Sequence, residues 1–221
     1  MTEEIKAIRD DIAFLRALAE EGRQTPMLGG GVLVAAGTIF GLASLAHWAT
    51  VARLLAAPPI APLVIWPGAG VIFAIVARAI LRQSRGKIGA KASVNRTTSA
   101  AWSAVGWTIL AIWMALMAMS YRTGNWAVME VFPIIILALY GAAWAVAAAM
   151  TRKGWMRLTA GGCFTAAIVM GLLAGTPHML LAHAAGLALF AVVPGLALMR
   201  QEPPEMSGRK GLQGADGQFR D

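Results

Sequence analysis

The chain has 221 residues, of which 58% are hydrophobic and 14% charged, with a formal net charge of +8. A soluble globular domain has about a quarter of its residues charged, so this composition excludes an ordinary soluble fold, and apolar residues gathered in long runs mark a membrane protein. The basic excess sits between those runs and is not interleaved with aromatics on a soluble module, which argues for the lipid bilayer and against nucleic acid as partner.

The chain opens MTEEIKAIRDD. It lacks the basic n-region and apolar h-region of a signal peptide, so the first span is expected to stay as an uncleaved anchor. Residues 2–21 read as a helix. Thr2 can cap it, Glu3 and Glu4 complement the positive end of its dipole, and Gly22 and Pro26 end it. Ile5, Ile8, Ile12, Leu15 and Ala19 recur every three or four residues and form one apolar stripe. Membrane-surface helices are usually basic, whereas residues 2–23 are net acidic by two. The stripe is therefore expected to pack on protein: its own loops, a second copy or a cytoplasmic partner. Its length is under three heptads, too short to define a coiled coil alone.

The first span covers residues 28–48 and carries Gly37 and Gly41, a small-xxx-small pair that lets another helix approach closely. The second covers 60–81, with Pro67, Gly68 and Gly70 predicting a kink in its outer half. The third, 100–121, is rich in Trp and Met. The fourth, 127–150, has Pro133 near its start, and Gly141, Ala145 and Ala149 predict a smooth stripe for a neighbour. An apolar run from 158 to 199 is about twice the spanning length. Gly175-Thr176-Pro177 breaks it into spans 158–175 and 178–199. Gly171 and Gly175 form a second GxxxG pair, and Pro194 predicts a bend in the last helix. Residues 200–221 are polar, without apolar periodicity, and read as a disordered tail.

Loop 78–96 holds Arg78, Arg82, Arg85, Lys87, Lys91 and Arg96 and no acid. Basic loops stay on the cytoplasmic side, which orients every other segment. With both termini inside, 17 of the 19 Lys and Arg residues are cytoplasmic, and only Arg53 and Arg122 are external. The expected architecture is all-α: six transmembrane helices, N-in and C-in, preceded by a short amphipathic cytoplasmic helix.

All three histidines fall towards the outer face in this layout, as does Glu130, the one acid outside the cytoplasmic segments. His47, His178, His183 and Glu130 could together hold a metal or a haem iron, or relay protons. His178 and His183 are five apart and do not share a helix face, and no HExxH pair is present. The plainer reading is interfacial histidines bonded to water, headgroups or carbonyls. Cys163 is the only cysteine, so no internal disulfide or thiolate cluster can form. No nucleophile with its base and no phosphate loop is legible. The spans carry hydroxyls such as Ser44, Ser103, Thr108 and Thr165 but almost no charge at mid-depth, which disfavours ion-coupled transport.

The sequence therefore points to a non-catalytic integral protein of a bacterial inner membrane. Its expected role is accessory, sensory or regulatory, exercised through the stripe of Ile5, Ile8, Ile12 and Leu15. A small transporter or channel subunit is the alternative, and a metal- or haem-binding redox component is another.

Overall fold

The computed structural model describes Ile8, Arg9 and Ile12, residues 29–84 and residues 93–201. The expected tail lies outside these residues, apart from Arg200 and Gln201. So does the expected amphipathic helix, apart from Ile8, Arg9 and Ile12, which are helical.

All regular structure among the described residues is helical. The long helices are α1 (Gly30–Val51), α2 (Ala61–Ser84), α3 (Ser93–Thr123), α4 (Val131–Thr151) and α5 (Gly154–Leu172). A sixth apolar stretch comprises α6 (His178–Leu187), a π-helical turn (Ala188–Val192) and α7 (Val193–Gln201). By length and composition, six helices can each cross a membrane, and the chain is consistent with a multi-pass integral membrane protein. Helices answer the bilayer because every backbone N–H and C=O must find its partner within the segment.

The turns follow from local chemistry. The Asn125 side chain accepts from Ala127 N at 3.1 Å and caps the 3-10 turn Trp126–Glu130. Pro133 sits in the first turn of α4, where its missing N–H would have had no helical partner. Arg152 ends α4 in the left-handed conformation at φ 57°. Gly175, at φ 79°, turns the chain between α5 and α6, a geometry that favours glycine.

The sixth stretch is irregular for a definable reason. Pro194 has no N–H to give to the carbonyl of Phe190, four residues earlier, and its ring crowds that carbonyl. The helix widens into the π turn just before it. The freed Phe190 carbonyl then accepts from the indole Nε1 of Trp144, on α4, at 3.0 Å. The bend expected at Pro194 thus takes the form of a widened turn closed by a side chain from another helix.

α1 packs between α2 on one side and α6–α7 on the other, and α4 packs between α3 and α5. α1 and α7 approach at glycines: a Cβ on Gly30 would stand 2.5 Å from the Gly195 carbonyl oxygen, and one on Gly195 2.9 Å from that of Gly30. Gly37 continues this seam, since a Cβ there would meet Val192 Cγ2 at 2.7 Å and the Leu187 carbonyl at 3.0 Å. Gly41 lies on the same side, where a Cβ would stand 3.9 Å from the Ala184 carbonyl oxygen. The neighbour of the Gly37 and Gly41 pair is the sixth stretch of the same chain. Gly171 and Gly175 meet nothing within 4 Å.

The core centres on Trp144, which is completely buried. Trp102 and Trp155 pack on it with ring centroids 5.5 and 5.7 Å away, and Trp102 also meets Tyr140 edge-on at 5.2 Å. The α4 stripe is rotated from the expected one. Gly141, Trp144, Ala147 and Ala148 are buried, whereas Ala145 and Ala149 are exposed. The large indole, placed against the widened turn, sets the inward face, and the small residues follow it.

α2 stands outside this core, and α3 meets it along one face only, through Trp102, Val105, Ile109 and Trp113. Their most apolar windows are each 6% buried, against 50% for the fourth span and 44% for the sixth. Although joined by one loop, α2 and α3 make at most marginal contact with each other.

Alternation of the helices puts Arg78, Arg82, Arg96, Arg152, Lys153, Arg157 and Arg200 at one end of the bundle. Lys153 Nζ donates to Gln201 Oε1 there at 2.7 Å. The opposite end has Arg53 and Arg122 with Glu130, the one acid among the described residues.

Candidate functional site

Four polar residues are buried among the described ones: Thr98 and Ser120 on α3, and Ser44 and His183 in the half nearer the less basic end, where α1, α2 and α6 meet. Ser44 Oγ and His183 Nδ1 are hydrogen-bonded at 2.7 Å, and both residues are completely buried. Ser44 reaches α6 because α1 and α6 lie close along the Gly37 and Gly41 seam. Both groups are buried among apolar neighbours, and the bond between them offsets part of the desolvation of each.

The pair leaves one atom unsatisfied. His183 Nε2 is buried without a hydrogen-bond partner. If Ser44 donates to Nδ1, Nε2 carries an N–H with no acceptor. If Nδ1 carries the proton instead, Nε2 holds a lone pair with no donor. Either way a buried polar group is unpaired, a cost of about 1–3 kcal/mol that needs a physical reason.

Trp66, from α2, stands beside this pair. Its ring centroid is 6.2 Å from that of His183 and 6.3 Å from that of His47. Its Nε1 donates to His47 Nδ1 at 3.3 Å. That bond assigns His47 the tautomer with its proton on Nε2. Phe40 and Phe73, at 5.4 Å, continue the α1–α2 contact deeper in the bundle.

The remaining members of the expected cluster are elsewhere. His178 is exposed at the start of α6. Glu130 is exposed and accepts from Gly175 N at 2.7 Å, tying the turn before α4 to the turn before α6. The structure brings His47 and His183 beside one indole and leaves His178 and Glu130 outside that arrangement. Among the described residues, no group of three or more His, Cys, Asp and Glu side chains could hold a metal ion.

Sequence reading missed the partnership of Ser44 and His183. The available signal was two polar residues at similar depth in two apolar spans. Hydroxyl and imidazole at 2.7 Å also form the first half of a nucleophile–base pair. No third group orients the imidazole through Nε2, so the arrangement supplies hydrogen bonding and not an assembled triad. Cys163 is buried in the core beside Trp144 and Met156 and serves as a packing residue.

Comparison with protein-family models, with curated proteins and with solved structures gave no match.

Proposed function

We propose that this protein is a non-catalytic component of a bacterial inner membrane, with both termini in the cytoplasm. In this reading it plays an accessory, sensory or regulatory part, and the helix of residues 2–21 carries the contact with a cytoplasmic protein. The observation that carries the proposal is the exposure of Ile8 and Ile12, the two members of the stripe among the described residues. Ile8 and Ile12 are helical and four residues apart, hence on one face, and they are 55% and 57% exposed. A pair of exposed isoleucines on one helix face suits a protein partner. The orientation is supported by the crowding of cations at one end of the bundle, which positive-inside topology assigns to the cytoplasm.

The test is co-purification from native membranes. The full chain is compared with a chain lacking residues 2–23 and with the Ile8→Asp, Ile12→Asp double variant. The proposal expects a cytoplasmic protein to accompany the full chain and to be lost from both variants. Thermal stability of the bundle in detergent should stay within about 0.5 kcal/mol, as for exposed positions generally. Recovery of the same proteins with all three chains would sink the proposal, as would a partner-free full chain.

A further inference from the structure

We infer that Ser44, Trp66 and His183 form a binding site for a lipid-soluble ligand with a planar, hydrogen-bonding head, of the quinone class. The inference goes beyond the partner-binding role proposed above and does not depend on it.

The first observation is the unpaired nitrogen. His47 Nδ1 accepts from Trp66, and Glu130 accepts from Gly175 N. His183 Nε2, completely buried, has no partner. Its other nitrogen is held by Ser44 at 2.7 Å, which fixes the ring's orientation. A ring held this way, with one edge atom left open, is prepared for an outside partner.

The second observation is the choice of holder. A serine hydroxyl both donates and accepts. It can therefore bond either tautomer of His183. With Ser44 donating, Nε2–H meets a quinone carbonyl. With Ser44 accepting, the Nε2 lone pair meets a quinol hydroxyl. One neutral imidazole serves both forms of the couple without a charge having to enter the apolar interior. Trp66 adds a flat aromatic face 6.2 Å from the imidazole, suited to a planar ring.

The third observation is the route. Both Ser44 and His183 are completely buried between membrane-suited helices, surroundings that favour an apolar, uncharged ligand over a charged one. Trp66 belongs to α2, which packs mainly on α1 and is 6% buried. Entry of the ligand requires α2 to shift outward, so that the ring seats between the Trp66 indole and the edge of His183 while the α1 contact with α6–α7 stays packed. The long 3.3 Å bond from Trp66 to His47 is a polar link that such a shift must stretch.

The test uses full-length protein in phospholipid nanodiscs with nitrogen-15 in its three histidines, titrated with decylubiquinone. His47→Gln and His178→Gln variants assign the signals. The expected result is a saturable shift of the His183 nitrogens, with the exposed His178 signals unmoved. Ser44→Ala and Trp66→Leu should weaken the titration by about tenfold each, the scale of one lost hydrogen bond or stacking contact. Three results would overturn the inference: His183 signals that never saturate, shifts equal to those of His178, and a water contact at Nε2 that persists throughout. Ser44→Ala keeps the His183 signals, so an unchanged titration in that variant would also overturn the inference.

Discussion

The second and third spans are as suited to the bilayer as the fourth and sixth, yet they pack differently. Their windows are 6% buried, against 50% and 44%. In water such a contrast would mean that the buried helices were the more apolar. In lipid the tails compete equally for every apolar side chain, and helix association rests on close fit and interhelical hydrogen bonds. The packed helices have those features. α1 and α7 approach at Gly30, Gly37 and Gly195, and α4 is fastened to the sixth stretch through Trp144 and the Phe190 carbonyl. α2 and α3 instead turn Val64, Val71, Ile75, Trp107, Leu110 and Met114 outward, where lipid is an adequate partner.

The largest effect should come from Trp144. Trp144→Ala empties the centre of the core and leaves the Phe190 carbonyl unpaired, an expected loss of about 3–5 kcal/mol. Trp144→Phe keeps much of the volume and removes only the donor, for about 1–3 kcal/mol. Trp107→Ala, on the exposed face of α3 at 68% exposure, should stay within about 0.5 kcal/mol. Reversible unfolding in mixed detergent measures all three. Equal losses at Trp144 and Trp107 would break the distinction between packed and peripheral spans.

Glycines sharpen the same contrast. Gly37→Ala forces a methyl to within 2.7 Å of Val192 Cγ2 and 3.0 Å of the Leu187 carbonyl, at a cost of about 1–3 kcal/mol. Gly171→Ala meets nothing within 4 Å and gains helix propensity, so it should be neutral or stabilising by up to about 1 kcal/mol. Thermal melts of the two variants in one detergent compare them directly.

The polar contact between α1 and α6 should matter less than the core. Ser44→Ala removes the partner of His183 Nδ1 and should cost about 1 kcal/mol, read from the same unfolding curves. A small effect of opposite sign is expected at Arg152, a non-glycine residue at φ 57°. Arg152→Gly relieves a left-handed backbone and should stabilise by no more than about 1 kcal/mol.

These contrasts explain which features were legible in the sequence. Long apolar runs and the Gly175-Thr176-Pro177 break announce six membrane-suited helices, because partition into lipid depends on composition. Choice of neighbour depends on shape and is poorly encoded. The pairs Gly37/Gly41 and Gly171/Gly175 read alike, yet the first lies on the sixth stretch and the second faces open space. Gly175 lies in a turn, which its place before Thr176-Pro177 foreshadows. Gly141, Ala145 and Ala149 read as one smooth stripe, but the face is set by Trp144, whose value comes from a carbonyl freed 50 residues later by Pro194. The candidate site was half legible for the same reason. His47 and His183 stand out as rare polar residues, whereas Ser44 and Trp66 acquire meaning only when α1, α2 and α6 are brought together.

The functional proposal depends most on orientation, because the Ile8 and Ile12 face meets cytoplasmic proteins only if the basic end lies inside. The chain's single cysteine, Cys163, is buried, so Cys163→Ala gives a background for labelling intact cells with an impermeant maleimide. Ala56→Cys, in the exposed connection before α2, should label from outside. Gln83→Cys, at the basic end of α2, should label only after the membrane is permeabilised. Labelling of Gln83→Cys on intact cells, with Ala56→Cys protected, would invert the protein and contradict the account.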